Sequence, residues 1–452
     1  MSELSQAVYR DLRFLVIDDQ PLARQSLRIC AQNMGAFSVE FSVGYQDAIS
    51  RIRARVPDII LCDYDLGDGR SGQQLLEELR RLTLLPDETI FMMVTAEQSY
   101  EQVVAAVELV PDDYIIKPFS PDRLQFRLDR VLRRKRFFQP LYRARQKGNY
   151  TEAESFIEKH RESEAGQPYR FELLRQRAEL ALRKGDSSAA QSAFEEILAL
   201  HPFPWAKAGM AKSLYAQNRL QEARELVEQV VSAAPMYFDA FDLKARICSD
   251  MGEHEEAQKT LAETSQRTSK NYLRKRLLAE AALLNGDADT ARQTMADVLQ
   301  NDLTPGAVSN TDRLMLVRSH LGANDMLAAE QAIATITEQS LQTATLDERA
   351  SCQAMKALLA PDKERARFTA VREVWMSMPM GATTRVDIVR AAFTMDDREL
   401  ASAMTAALFA SDEIRQVFKL VRDIFEKNGM ASVFRDLQKQ AALEKIASVV
   451  KS

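Results

Sequence analysis

Cysteine is scarce in this chain. Four residues in 452, at positions 30, 62, 248 and 352, lie too far apart to form a disulfide framework, and three sit in apolar helical or strand contexts. The expectation is four buried, reduced thiols. Histidine is equally scarce, with four scattered residues and no pair at zinc-ligand spacing. No apolar run approaches the ~18 residues of a membrane-crossing helix. The start, Met1-Ser2-Glu3-Leu4-Ser5-Gln6, lacks a charged-then-apolar leader pattern, so a cytoplasmic location away from membranes is expected. Positive charge is not in excess: 60 Lys and Arg face 65 Asp and Glu, a net charge of −5. A globally basic, nucleic-acid-coating protein is thereby excluded. Beyond residue 137 the sequence lacks paired acids, a nucleophile elbow, a phosphate loop, a metal motif and a helix-turn-helix, which removes most catalytic and DNA-reading outputs. The length accommodates two or three domains.

What is present begins with Pro57-Asp58-Ile59-Ile60-Leu61-Cys62-Asp63-Tyr64-Asp65-Leu66-Gly67-Asp68-Gly69-Arg70-Ser71-Gly72. Ile59 to Cys62 is a short apolar run without alternation, the pattern of a strand buried on both faces of a parallel sheet. Asp63 stands at its carboxyl end, where open α/β sheets bind ligands. Three further runs end in the same way. Leu12 to Ile17 leads into Asp18-Asp19, Ile90 to Val94 into Thr95-Ala96, and Tyr114 to Ile116 into Lys117-Pro118-Phe119. Helical patterns follow the strands, over Pro21–Met34, Tyr45–Arg55, Gln73–Thr83, residues 98–109 and Pro121–Arg136, and a further strand is expected at Phe37–Phe41. Strict alternation of five strands and five helices predicts a doubly wound parallel sheet.

Acids, a hydroxyl and an ammonium gathered at one sheet edge resemble the receiver domain of bacterial two-component response regulators over residues 10–136. The resemblance implies a flavodoxin-like α/β fold and Mg²⁺ held by Asp19, Asp63 and the backbone carbonyl of Asp65, with Asp18 acting mostly through water. Magnesium prefers such hard oxygen ligands. It further implies that Asp63 is phosphorylated as an acyl phosphate, with Lys117 and Thr95 binding the phosphoryl group and Tyr114 as the aromatic switch. The Lys117-Pro118 bond is cis in the family. Catalysis would be confined to self-phosphorylation and self-dephosphorylation of the receiver. Two departures stand out: a glycine-rich loop replaces the proline that many receivers carry after the position of Leu66, and Asp65 and Glu97 occupy the positions that tune phosphate lifetime.

From Asp122 to Lys147 there are ten Lys or Arg against two acids, densest at Arg133-Arg134-Lys135-Arg136. This is a solvated connector helix or a basic docking patch. From Phe138 onward strand signals vanish and a repeat begins. Gly148, Gly185, Asn218, Gly252 and Gly286 each lie five positions before an alanine (153, 190, 223, 257, 291), with a degenerate sixth unit at Asn324 and Ala329. The pattern resembles tetratricopeptide repeats, paired antiparallel helices in which Gly or Asn suits a left-handed turn and Ala permits close approach.

Groove-lining positions carried over from that family include Arg175, Trp205, Lys212, Tyr215, Asp239, Asp242, Arg246, Arg276 and Glu280. Each is either a partner contact or simple packing and surface. The repeat fades past Leu346. The apolar stripe Ile414, Val417, Phe418, Val421, Ile424 and Phe425 then suits a cap on the solenoid's end or a surface for homodimerisation or a partner.

The expected organisation is a receiver over 1–136, an all-α tetratricopeptide solenoid over 137–345 and a helical extension over 346–452. The expected function is a response regulator phosphorylated by a histidine kinase or phosphotransfer protein, its repeats binding an effector protein under phosphorylation control. Alternatives are a phosphorelay or phosphate-turnover element, and a nucleic-acid-binding regulator using the basic connector.

Overall fold

The computed structural model describes residues 8–67, 71–96, 111–235, 237–268, 271–301, 308–411 and 414–451, without the side chains of Arg81 and 445–451. The helix expected at 98–109 and Glu97 lie outside the described residues, as do Asp68, Gly69 and Arg70. The chain forms two compact units, Met1–Ala240 and Phe241–Ser452.

The first unit opens with five parallel strands: β1 (Arg13–Ile17), β2 (Ser38–Ser42), β3 (Ile59–Asp63), β4 (Ile90–Thr95) and β5 (Asp113–Ile116). They lie in the order β2-β1-β3-β4-β5. Period-two geometry sends alternate side chains of each strand to opposite faces, so the apolar runs build two cores. Phe14, Val16, Ile59, Leu61, Met92 and Val94 join one, and Leu15, Ile17, Ile60, Cys62, Phe91 and Met93 the other. All four cysteines are buried, and none forms a disulfide.

The expected boundary after Arg136 falls inside one unbroken helix, Pro121–Gln146, which continues past Pro140. Ser120 caps its start and Pro121 occupies the first turn, where a missing N–H costs nothing. Phe138, fully buried, and Phe137 pack with Phe156 and Tyr169, joining this helix to the helices that follow.

Helix pairs then succeed one another, and the turn between partners is nearly invariant. Gly148, Gly185, Asn218, Gly252, Gly286 and Asn324 all have positive φ, and the alanine five residues on is fully buried in every case. The residue after the turn donates its N–H to a carbonyl five positions back, as Asp186 does to Ala181 and Asp287 to Ala282. The second unit carries this geometry past Leu346, where the sequence pattern fades. Asp396 (φ 59°) precedes buried Ala401 by five, and Gly429 (φ 71°) precedes buried Phe434 by five. Asp in place of Gly or Asn, and Phe in place of Ala, conceal the repeat.

Candidate functional site

The parallel register sets the site. Ile17 pairs with Cys62, Asp63 with Val94, and Thr95 with Ile116, so the strands deliver Asp18-Asp19, Asp63, Thr95 and Lys117 to one edge. The Lys117 ammonium donates to Asp18 Oδ2 and to Asp63 Oδ2, each at 3.0 Å. Asp18 is fully buried and also accepts from the Gln20 N–H at 2.9 Å, so it is bonded directly here. Asp19 is exposed, and carboxylate oxygens of Asp18, Asp19 and Asp63 lie within 4.8 Å of one another. Burial pushes the Asp63 carboxyl up; Lys117 opposes this, while neighbouring Asp18 adds to the rise. Burial disfavours the Lys117 cation, but its bonds to Asp63 and Asp18 outweigh that and push the ammonium up.

Backbone detail keeps the site open. Gly67 has φ 82°, and a Cβ there would lie 2.5 Å from Asp19 Oδ2. A Cβ on Gly72 would lie 2.3 Å from the Asp63 carbonyl oxygen. The glycine-rich loop is therefore a steric requirement of the acidic cluster. The Asp65 carboxylate accepts from the Gly67 N–H at 3.0 Å, closing the turn. Thr95 is buried at the end of β4, its carbonyl accepting from the Lys117 N–H at 2.7 Å. The Lys117-Pro118 bond is cis. One contributor escaped the sequence reading: the Arg24 guanidinium donates to the carbonyls of Asp18 (2.7 Å) and Asp19 (3.0 Å), pinning the acidic pair. Its place one helical turn after Asp19 was the available signal.

The model of the response regulator receiver domain matches residues 14–129. That decides the first unit's opening segment. Residues 14–129 are a response regulator receiver domain. The receiver is 35% identical over 122 residues to the phosphate regulon transcriptional regulatory protein PhoB of Escherichia coli, covering 27% of this chain and 52% of PhoB. It is 38% identical over 120 residues to PhoB of Pseudomonas aeruginosa, covering 26% and 51%. The chain spans about half the length of these curated relatives. Two tetratricopeptide repeat models match residues 181–247 and 275–297. A tetratricopeptide repeat protein from Parabacteroides merdae covers 66% of this chain and 98% of its own, at 12% identity and a TM-score of 0.41.

Five of the ten basic residues over 122–147 are ion-paired within the first unit. Arg127 and Arg130 pair with Asp113, each at 2.7 Å, and the Arg127 guanidinium also lies 5.3 Å from the centre of the Tyr114 ring. Arg134 and Lys135 both reach Asp112 Oδ1 at 2.8 Å, and Lys135 donates to the Asp87 carbonyl at 2.6 Å. Burial disfavours the Asp112 anion, yet Lys135 and Arg134 outweigh it and hold the carboxyl below its usual range. Arg145 reaches back to Asp87 at 3.4 Å and forward to Gln176 at 2.5 Å. Arg123, Arg133, Arg136, Arg143 and Lys147 remain exposed on the same stretch.

The groove candidates separate. Arg175 pairs with Glu179 at 2.8 Å and covers the half-buried Trp205 ring at 5.1 Å. Lys212, Tyr215 and Asp239 are half-buried. Asp242 accepts two bonds from Arg274, at 2.7 and 2.8 Å, and Arg276 pairs with Asp312 at 2.7 Å, so both are spent between successive repeats. Arg246 and Glu280 are exposed, with no hydrogen bond or ion pair to a described residue.

Proposed function

We propose that this chain is a two-component response regulator phosphorylated on Asp63, whose output is protein binding by the tetratricopeptide repeats under control of that phosphorylation. The observation that carries this reading is Lys117 bridging Asp18 and Asp63, with the Asp19 carboxylate beside them at the carboxyl edge of the sheet. Three hard oxygen donors so close suit a divalent cation, and we assign Mg²⁺ to Asp19, Asp63 and the Asp65 carbonyl, with Asp18 behind them. The ion, when bound, neutralises charge on an incoming phosphoryl group.

The chain's own residues supply the rest. An Asp63 carboxylate oxygen forms the bond to phosphorus as the bond to the donor imidazole breaks, and the imidazole leaves with its electron pair. Lys117 is drawn from its two carboxylates towards the phosphoryl oxygens. The Thr95 hydroxyl moves to meet another of those oxygens, and Tyr114 follows into the vacated space. Turning Tyr114 inward removes it from Arg127, which is itself tied to Asp113 on the helix that runs on to Gln146. The phosphorylated state is thereby selected from two conformations and read out by the first repeat.

The donor is a histidine kinase or phosphotransfer protein, the effector is a protein and the setting is the cytoplasm. A nucleic-acid reading of the basic helix would rest on its five remaining exposed basic residues alone, because Arg127, Arg130, Arg134, Lys135 and Arg145 are each ion-paired. Incubation with acetyl phosphate and Mg²⁺, read by intact mass, should add one phosphoryl group to the wild-type chain and none to Asp63→Asn. Equal labelling of both would place the acceptor elsewhere.

A further inference from the structure

The turn over residues 18–20 carries two of the site's carboxylates and has little of its own to hold it. β1 ends at Ile17, and the helix Pro21–Asn33 begins at a proline, which has no N–H to give. The Asp18 N–H still donates to the Ser42 carbonyl at 3.3 Å, and the Gln20 N–H turns back to Asp18 Oδ1 at 2.9 Å. Among the described residues, no backbone N–H reaches the carbonyls of Asp18 and Asp19. Both accept from Arg24 Nη1, at 2.7 and 3.0 Å. A helical side chain leans towards the N-terminus of its helix, so Arg24, four residues after Gln20, lies over the turn.

Its place is otherwise unfavourable. A cation near the start of a helix opposes the helix dipole, and this helix has no acid in its first turn. Arg24 is half-buried and makes no ion pair with a described residue. What it holds is backbone, which leaves the carboxylate oxygens to others. Asp18 and Asp63 are held by Lys117 through their side chains. The exposed Asp19 carboxylate accepts no hydrogen bond from a described residue. Its aim is therefore set by the backbone that carries it, and Arg24 fixes that backbone.

We propose that Arg24 is a positioning residue for the divalent cation. By fixing the peptide between Asp18 and Asp19, it holds the Asp19 carboxylate where the ion needs it, without touching the ion. The proposal rests on the regulator reading and adds to that site a residue beyond its acids, hydroxyl and lysine. A cation that only tuned charge would behave in the opposite way. Removing a positive charge beside three carboxylates favours a divalent cation, whereas loosening one of its ligands disfavours it. The sign of the change separates the two roles.

Calorimetric titration of the full-length chain with Mg²⁺ reads that sign, with the metal-free melting curve of each variant measured alongside. Arg24→Ala should weaken Mg²⁺ binding by about tenfold or more. Arg24→Lys, which keeps the charge and a donor, should lie between Arg24→Ala and wild type. It also supplies the measurement if the alanine variant melts too early to titrate. Gln25→Ala, at the exposed neighbouring position, should bind as wild type does. Because Arg24 acts through Asp19, the loss should shrink to less than about twofold when Arg24→Ala is made in an Asp19→Asn chain. A general loosening of the receiver would instead weaken both backgrounds alike. Tighter or unchanged Mg²⁺ binding in Arg24→Ala, or an equal loss in the Asp19→Asn background, would overturn the proposal. If that happened while wild type bound Mg²⁺ and labelled on Asp63, Arg24 alone would fall. A wild-type chain that neither bound Mg²⁺ nor labelled on Asp63 would remove the regulator reading, and Arg24 with it.

Discussion

Asp63 carries opposing demands that predict its behaviour without metal. Its folded carboxyl holds its proton more tightly than an unfolded one, because burial and Asp18 disfavour the anion more than Lys117 favours it. The associated stability is present below the unfolded carboxyl's pKa, ~3.9, and is lost as pH rises through the folded value. The metal-free chain should therefore lose receiver stability as pH rises from that region towards neutral. Asp63→Asn should remove that decline and raise the neutral-pH Tm in calorimetry, since Lys117 keeps Asp18 as its partner. A flat pH profile in wild type would contradict this. Gly67→Ala combines a left-handed backbone with a Cβ against Asp19. It should cost about 1–2 kcal/mol and weaken Mg²⁺ binding, measurable by denaturant melts and metal titration. Site residues were legible here because each follows an apolar strand run. Arg24 was not, since a cation in a helix's first turn has many ordinary uses. Gly67 was legible only as one residue of a glycine-rich loop, and its closeness to Asp19 emerges in the fold.

At the scale of elements, the helix Pro121–Gln146 is the connection that matters. Its basic run looked like surface because sequence does not show that Asp87, Asp112 and Asp113 wait on the sheet side to receive it. Asp112→Ala would leave Arg134 and Lys135 without their shared, nearly buried carboxylate and free the Phe91 N–H. The expected cost is about 3–5 kcal/mol, seen as a lower denaturation midpoint, with Asp63 labelling retained in the folded fraction. A fragment ending at residue 136 should melt well below the receiver in the whole chain, because it loses the Tyr142 ring under Lys135 and the Arg145 tie to Asp87. Equal melting would show the helix to be a passive tether. The paired helices were readable wherever Gly or Asn marks the left-handed turn. They went unread at Asp396, because Asp at positive φ is uncommon enough to be passed over.

For the whole molecule, fold class was largely written in periodicity: apolar runs for a buried parallel sheet, then a thirty-four-residue rhythm of turn and alanine. Pairings across long separations were not, and Arg318 with Asp387, Gln416 with Asp250 and Lys135 with Asp87 emerge only in three dimensions. What the proposed function requires above all is that phosphorylation of Asp63 be felt in the repeats. Hydrogen exchange of the full-length chain, with and without beryllofluoride and Mg²⁺, addresses it most directly. Altered exchange is expected within residues 121–161 and 170–183 as well as around Asp63. No such change is expected in Asp63→Asn, and the coupling should be about 1–3 kcal/mol. Changes confined to the receiver strands and their loops, with the repeats exchanging as before, would contradict it.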